Sequence, residues 1–552
     1  MNEPIESSPD NDPIPRRSKP LSGAGLILFA LAMLTIGCGD SSSNASNLKD
    51  VGFRGDRTAN ASESDEESGK RSSNETHKSR KSDRTDEGQP NIVLVSVDDL
   101  DLQMTQEALP QLQKMMADKG VTFENAFVTN PICCPSRATT LRGQYAQNTL
   151  VQGNQPPQGG YEKFHRLGRE RSTFATWLDS AGYQTAYMGK YMNGYQGTEV
   201  PPGWDDWLAV SGDYASDDLT FNGQILPNAL KGRHETDVLA EKSSLYIERA
   251  SQGQSPFFLY LAPRAPHQPA IPAKRHEDLF SGEQVPADPS EDPAYNEADL
   301  SDKPLWLRQR KPLTQQEKLQ MGELHRNRLR SMKSVEDMMV RLEETLRKTG
   351  ELENTYIVFT SDNGHHLGQH RLPIGKWTAY EEDIRVPLMI RGPGVPEGES
   401  REQMVLNNDF APTFSDLAGA KTPPFVDGRS LTPLLQKDLW RNPPTPQQRR
   451  QAFLVEGGRF FAGAGAGPVI NRPQFDAVRT ERYLYVEYAT GARELYDLRK
   501  DPHQLENLLS PSTPEADSET TTRLAQRLDV LRGCSGEDCH RAETMNPEGD
   551  TG

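Results

Sequence analysis

The sequence CCPSRATTLRG places two neighbouring thiols, Cys133 and Cys134, before Pro135 and Arg137. Proline suits the first turn of a helix, because its missing N–H would have no partner there. The segment therefore predicts a helix that begins near Cys133. The unpaired N–H groups and the dipole of a helix N-terminus attract an anion, and Arg137 adds a planar cation one turn later. We expect Cys133 to lie beside a bound anionic group.

Polar side chains also follow four apolar runs that the sequence predicts as strands. The runs are 92–97, 184–188, 257–261 and TYIVFT, and the side chains that follow them are Asp98, Asp99, Lys190, His267, Asp362 and Asn363. Because the carboxyl ends of parallel strands share one edge of an α/β sheet, we expect these six side chains to converge. Taken singly, an aspartate after a strand is more often a helix cap or a turn residue. The stretch TQEALPQLQKMMADKG after the first run predicts one helix.

This edge of the sheet has two chemical interpretations. A reactive thiolate would need a paired histidine, and often an asparagine, but it would give no reason for three aspartates. Carboxylate and amide oxygens are the ligands that hard cations prefer. The residue types therefore favour a bound divalent cation over a plain cysteine nucleophile.

The motifs together resemble the type I sulfatases from about Pro90 to Cys539. Residues 133–137 match the C-x-P-S-R signature of that family, and the other matches, in the family's order, are the Asp98-Asp99 pair, Gly189-Lys190-Tyr191, Asp362-Asn363-Gly364, PIGKW with Lys376, VPLMIRGPG and ELYDLRKDP. The forms CCPSR, GKYMNGY and SDNGHHLGQH are most similar to N-acetylglucosamine-6-sulfatases and related heparan sulfatases. The resemblance implies an alkaline-phosphatase-like α/β fold, with a large mixed, mostly parallel sheet flanked by helices and a smaller C-terminal antiparallel sheet.

The resemblance also implies a mechanism. A separate maturation enzyme would convert Cys133 to formylglycine, whose hydrate attacks the sulfur of a sulfated glycan and then releases sulfate. Calcium is the expected cation because four protein oxygens and the substrate suit its loose shell, and magnesium is the alternative. The implied ligands are Asp98, Asp99, Asp362, Asn363 and the modified Cys133.

The family's remaining site residues are carried over in the same way. Arg137 and Lys190 would hold the hydrate and neutralise charge. His267 and Lys376 would bind the sulfate and protonate the leaving alcohol, and His366 would face the substrate. His365 and His370 are expected to be structural, and Cys134 to be a small buried side chain. The chain departs from many sulfatases at Met192, where they carry a histidine.

The N-terminal residues predict export. Basic residues at positions 16, 17 and 19 precede the apolar run 23–37, which has the layout of a signal peptide. Gly37 before Cys38 resembles a lipoprotein processing site, so Cys38 is expected to carry a lipid anchor to a membrane facing the periplasm or cell exterior. Ordinary secretion and a retained N-terminal anchor are the alternatives. Residues 39–89 are almost devoid of apolar side chains and predict a disordered linker.

The remaining organisation follows from composition and pattern. Residues 90–420 predict the α/β catalytic domain, residues 421–540 an α+β subdomain, and residues 541–552 a disordered tail. The net charge of −17 argues against a nucleic-acid partner. Cys534 and Cys539 favour a local disulfide over a metal site in an exported protein. A phosphonate or phosphate monoester hydrolase and an inactive, lipid-anchored glycan-binding protein are the rival functions.

Overall fold

A computed structural model describes residues 88–210, 216–283, 292–437, 449–458, 472–511 and 518–545. The predicted signal peptide, its Cys38, and the linker as far as residue 87 lie outside these ranges. Among the described residues, none of the helices combines the length and the apolar character needed to cross a membrane. The segment predicted as a tail begins with helix, because the last helix runs to Thr544, and residues 546–552 lie outside the described part.

The described residues form sixteen strands. They are β1 Asn91–Val97, β2 Val121–Phe123, β3 Ala126–Phe127, β4 Gln184–Gly189, β5 Asp206–Val210, β6 Leu219–Phe221, β7 Gln224–Leu226, β8 Phe257–Ala262, β9 Thr355–Ser361, β10 Leu388–Arg391, β11 Glu399–Arg401, β12 Val405–Leu406, β13 Ala452–Gly457, β14 Phe475–Thr480, β15 Tyr483–Tyr488 and β16 Arg493–Asp497. The first three predicted runs agree with β1, β4 and β8 to within one residue at each end.

Thirteen α-helices lie in the same ranges. They are α1 Leu102–Ala108, α2 Pro110–Leu112, α3 Cys133–Arg142, α4 Ala146–Thr149, α5 Gly160–Arg166, α6 Phe174–Ser180, α7 Glu235–Ala250, α8 Leu305–Arg308, α9 Gln315–Thr349, α10 Glu381–Ile384, α11 Phe410–Ala418, α12 Ser518–Arg532 and α13 Glu537–Thr544. Short 3₁₀ segments join several of them, and a π-helical turn at Gln113–Ala117 follows α2.

The large sheet has ten strands in the order β11-β2-β10-β9-β1-β8-β4-β5-β6-β7. Its centre is parallel, since β1 pairs in parallel with β8 and β9, and β4 pairs in parallel with β8 and β5. Antiparallel pairs occur towards both edges, at β10 and at β6 and β7. The predicted fold, a mixed and mostly parallel sheet, is confirmed.

Both faces of this sheet are covered. Along β1 the side chains of Val93 and Val95 enter one core with residues of α7 and α9, whereas Ile92 and Leu94 enter a second core on the other face with residues of α3, α6 and α11. Side chains of a strand alternate between the two faces of a sheet. A continuous apolar strand therefore needs helices on both sides.

The helix predicted after β1 is divided into α1, α2 and the π-helical turn. Pro110 starts α2, and Leu109 before it leaves the helical region with φ −122° and ψ 62°. Proline lacks an N–H and disfavours helical geometry at the preceding residue, which ends α1 there. The Asp101 carboxylate caps α1 by accepting from the Met104 N–H at 2.8 Å.

The smaller antiparallel sheet, in the order β13-β14-β15-β16, is also confirmed. It shares a third core with α12 and α13, and this core includes Phe127, Tyr145 and Tyr380 from the larger part of the chain. A disulfide joins Cys534 to Cys539 beside α13. The sheet therefore packs against the elements that carry the site.

Candidate active site

Helix α3 carries Cys133 as its first residue. Ile132 precedes the helix in an extended conformation and provides no side-chain cap. Instead, the Oδ1 atom of Asn154 accepts from the Cys134 N–H at 2.8 Å, although the two residues are twenty positions apart. Cys134 points into the core that covers this face of the sheet. Of the two thiols, Cys133 therefore lies at the edge of the sheet where the predicted site residues follow the strands, and Cys134 packs in the core.

The Cys133 thiol is buried between a lysine and a carboxylate. The Lys376 ammonium lies 2.9 Å from the Cys133 Sγ atom, and the Asp98 Oδ1 atom lies 3.6 Å from it on another side. Burial raises the pKa of Cys133 to about 11, although Lys190 and Lys376 act in the opposite direction. The unmodified thiol is thus protonated at neutral pH, which disfavours a plain thiolate nucleophile.

Arg137, one turn along α3, holds the carboxylates that follow β1 and β9. Its Nε atom donates to Asp362 Oδ2 at 2.8 Å, its Nη1 atom donates to the Lys190 carbonyl at 2.7 Å, and its Nη2 atom lies 3.9 Å from Asp98 Oδ1. The Lys190 ammonium in turn donates to Asp98 Oδ2 at 2.6 Å. The ends of three strands, β1, β4 and β9, are therefore tied to α3 and to one another by buried charge-assisted hydrogen bonds.

Asp99 has a backbone conformation that L-residues rarely adopt, with φ +68°. The Arg328 guanidinium holds it there, because its Nη2 atom donates to the Asp99 carbonyl at 2.5 Å and to Asp101 Oδ2 at 2.9 Å. The Asp99 N–H donates to Asp362 Oδ1 at 3.1 Å. Such conformations persist where the surroundings impose them, and they cluster at functional sites.

The charges around the aspartates give them different pKa values. Burial alone would raise the pKa of Asp98, but Lys190, His267 and Arg137 outweigh it and hold that pKa well below its usual range. Burial, with the neighbouring Asp98, raises the pKa of Asp362 to about 6. At neutral pH the site therefore presents carboxylates beside a dense set of cations.

These donors suit a hard cation. One oxygen from each of Asp98 and Asp99, together with the Cys133 Sγ atom and a ring nitrogen of His267, lie within 4.8 Å of one another. The Asn363 Nδ2 atom donates to Asp99 Oδ1 at 2.7 Å, while its Oδ1 atom is buried and has no hydrogen-bond partner among the described residues. A buried amide oxygen without a partner costs free energy unless something binds it. A divalent cation would supply that partner.

The histidines occupy three different environments. The Nε2 atom of His267 lies 3.6 Å from Asp99 Oδ2, and burial lowers the pKa of His267 to about 4. His366 is fully buried, and its Nδ1 atom lies 2.8 Å from Asp383 Oδ1. His370 pairs with Glu297 at 2.6 Å. A contact between His366 and the substrate stays a prediction.

Sequence reasoning missed two residues that position this site, Arg328 and Asn407. Arg328 reaches Asp99 from the middle of α9, and the Asn407 Nδ2 atom donates to Ser136 Oγ at 2.9 Å. His365 is buried with its Nδ1 atom 3.8 Å from Asp99 Oδ2. No sequence signal marks Arg328 or Asn407, because each acts across more than two hundred positions. The sequence analysis names His365 as a structural residue, and its burial beside Asp99 agrees with that.

Comparisons with known proteins identify the family of this chain. A family model described as Sulfatase matches residues 90–420, and one described as N-sulphoglucosamine sulphohydrolase, C-terminal, matches residues 368–533. An arylsulfatase of Volvox carteri is 35% identical over 83% of this chain and 77% of its own. The N-acetylglucosamine-6-sulfatase of Homo sapiens is 32% identical over 83% of this chain and 87% of its own.

A solved structure shares the fold. That structure is of a protein in complex with its substrate D-glucosamine-2-N,6-O-disulfate, and its sequence is 24% identical to the present one. The two structures superpose with a TM-score of 0.66, over 84% of the present chain and the whole of the other protein. The family model alone spans more than half of the sequence. This chain belongs to the sulfatase family and is a sulfuric ester hydrolase.

Proposed function

We propose that this sulfatase removes the 6-sulfate of N-acetylglucosamine units in a sulfated glycan, with a formylglycine made from Cys133 and a bound divalent cation. The observation that carries the proposal is the position of Cys133, at the start of α3, between the Lys376 ammonium and the Asp98 carboxylate. The glycan is inferred from relatives that act on N-acetylglucosamine sulfates. The solved relative bound to a glucosamine disulfate supports the same substrate class.

The cation would be held by oxygens of Asp98, Asp99, Asp362 and Asn363, and we propose calcium. When bound, it would supply charge stabilisation for the attacking oxygen and the sulfate oxygens. Oxygen ligands and a loose coordination shell favour calcium, with magnesium as the alternative.

The protein's own cations would do the rest. Arg137 and Lys190 hold Asp362 and Asp98 in place and add positive charge on the Asp98 side of residue 133. Lys376, which contacts both Asp99 and Cys133, would bind a sulfate oxygen and lower the charge that develops in the transition state. Of His267 and Lys376, the two groups that would serve the sulfate and the departing alcohol, Lys376 is the one that carries a proton at neutral pH, because burial lowers the pKa of His267 to about 4.

Exchange of each thiol in turn tests this function. We expect Cys133→Ala to abolish release of sulfate from N-acetylglucosamine-6-sulfate and from an aryl sulfate, and Cys134→Ala to retain activity within about tenfold, since that side chain only packs. The measurement is released sulfate per enzyme, with protein expressed together with its maturation enzyme.

Mass analysis of the peptide containing residue 133 completes the experiment. An aldehyde at Cys133 is the expected result, and full activity of Cys133→Ala would overturn the proposal. A preference for an aryl phosphonate over the aryl sulfate would instead favour the phosphonate hydrolase. The intact mass of protein from its host also tests the proposed export as a lipoprotein, because a lipidated Cys38 would be its first residue.

A further inference from the structure

Three neighbouring cations outside the site have no carboxylate partner among the residues that the structure describes. Residues 308–311, RQRK, are here named the basic segment, and it contributes Arg308, Arg310 and Lys311. None of these three side chains forms a hydrogen bond or an ion pair with any described residue. The whole chain has a net charge of −17, but residues 303–316 around this segment include no aspartate or glutamate. The segment is therefore a local region of positive charge.

Arg310 is the most informative of the three. Its side chain is half-buried, and its Nε atom is shielded from solvent without a hydrogen-bond partner in the described part of the chain. Burial lowers the pKa of Arg310, and no carboxylate of the described ranges counteracts this effect. A guanidinium that loses water without gaining a counter-ion costs free energy. That cost would be offset if an external anion bound there.

The basic segment lies beside the loop that carries Lys376. The Arg371 Nη1 atom donates to the Arg310 carbonyl at 3.2 Å, and its Nε atom donates to the Glu297 carbonyl at 2.7 Å. Lys376 follows Arg371 by five residues, a length of chain that spans at most about 18 Å. The basic segment therefore lies within reach of an oligosaccharide that is bound at Lys376.

We propose that the basic segment is an accessory subsite, which binds the sulfate or carboxylate groups of sugar units next to the one whose ester is cleaved. The inference rests on the proposed function, because it assumes that the substrate is a polyanionic glycan. Arg310 would provide a planar fork for one anionic group. Arg308 and Lys311 would attract the chain in a way that salt weakens.

The test compares a long and a short substrate. In Arg310→Gln/Lys311→Gln we expect the KM for a sulfated octasaccharide to rise about tenfold, as loss of charged hydrogen bonds predicts. The kcat for the octasaccharide and the KM for an aryl sulfate should be unchanged. Arg310→Lys keeps the positive charge, so it should raise the octasaccharide KM less than the double glutamine variant does. An equal KM for the octasaccharide in variant and wild type would overturn the subsite.

Lys421→Gln is the matched control. Lys421 is exposed and lies three residues after Ala418, whose carbonyl accepts from Gln89 at the amino end of β1. It therefore sits towards the sheet edge opposite the site, and its exchange should leave both KM values unchanged. An equal rise of the octasaccharide KM in this control would show a general charge effect and overturn the proposal.

A binding experiment separates this inference from the proposed function. In Cys133→Ala protein, the Kd for the octasaccharide is measured by calorimetry with and without the two glutamine substitutions. A rise of about tenfold would support the subsite even if no glycan sulfatase activity were found. If the two substitutions left the octasaccharide Kd unchanged but abolished sedimentation of the protein with anionic phosphatidylglycerol vesicles, the segment would be a membrane contact. That result would overturn the glycan subsite.

Discussion

At the scale of single residues, the site is defined by how buried charges are matched. Asp98, Asp99 and Asp362 are all buried, and they are held by Arg137, Lys190 and Lys376. Removing one member of a buried pair leaves an uncompensated charge, which is strongly destabilising. Exchange of Asn363, the neutral member of the proposed ligand set, is therefore the cleaner way to test for the cation.

Asn363→Ala should weaken cation binding without changing the charge of the site. With calcium at about 100 times its Kd, we expect wild-type protein to gain about 2.7 kcal/mol in its free energy of unfolding over chelated protein. Asn363→Ala should gain clearly less at the same calcium concentration, because it lacks one oxygen ligand. Thermal unfolding with increasing calcium measures the difference.

Asn354→Ala provides the control for that experiment. Asn354 precedes the amino end of β9, whereas Asn363 follows its carboxyl end. We expect the Asn354 variant to respond to calcium as wild type does. Identical calcium responses in the two variants would contradict the assignment of Asn363 as a ligand.

At the scale of elements, the approach of β4 to β8 decides where Lys190 lies. Gly189 ends β4 opposite Ala262, with φ +122°, and a Cβ atom there would lie 2.1 Å from the Ala262 carbonyl oxygen. Only glycine allows two backbones to come this close at such a φ. The Lys190 N–H then donates to that carbonyl at 2.8 Å.

Gly189→Ala should therefore lower the free energy of unfolding by more than about 3 kcal/mol, because the clash is with backbone and cannot relax through a rotamer. Gly194→Ala is the matched control, since Gly194 also has a positive φ, +83°, but no atom lies within 4 Å of its added Cβ. It should cost only about 1–2 kcal/mol. Denaturant unfolding of both variants measures the costs, and equal losses would refute the close-approach argument.

At the scale of the whole molecule, the small sheet is joined to the catalytic part through buried polar groups. Glu456 on β13 accepts from the Gln147 N–H of α4 at 3.1 Å, and the Glu456 N–H donates to the Thr129 carbonyl at 2.8 Å. Burial raises the pKa of Glu456 to about 8, with a smaller contribution from Asp476. The junction therefore holds a carboxyl that is neutral in the folded protein at neutral pH.

This junction predicts a pH dependence of stability. A carboxyl whose pKa is raised by folding makes its full contribution to the stability of the folded protein at pH values below its ordinary pKa of 4.5. That contribution is lost as the pH rises through about 8, the pKa of Glu456 in the folded protein. Glu456→Gln stays neutral, so its free energy of unfolding relative to wild type should increase by at least about 2 kcal/mol between pH 5 and pH 8.5. Denaturant unfolding at both pH values measures it.

Glu481→Gln, in the exposed turn between β14 and β15, serves as the reference for Glu456. Its free energy of unfolding relative to wild type should differ little between the two pH values. If Glu456→Gln behaved in the same way, the buried carboxyl would not be the source of the pH dependence.

The sequence by itself determined the chemistry-bearing residues and the strands that deliver them. Alternation of apolar strands with helical segments predicted the α/β sheet, since a strand buried on both faces must be apolar throughout. The signature at Cys133 predicted the start of α3, because Pro135 fits only a first helical turn. The division of the predicted helix at Pro110 could have been read from the same rule, applied to the residue before proline.

Only the tertiary structure decided how these residues are held. Arg328 fixes the unusual backbone of Asp99 from a helix 229 positions away, and Asn154 caps α3 from twenty positions away. Local sequence carries no record of such contacts, because they arise when separate elements pack. The same reason explains why the basic segment could be located beside Arg371 only in the folded chain. Residue types and order fix what chemistry is available, whereas packing fixes which groups meet and which charges remain unmatched.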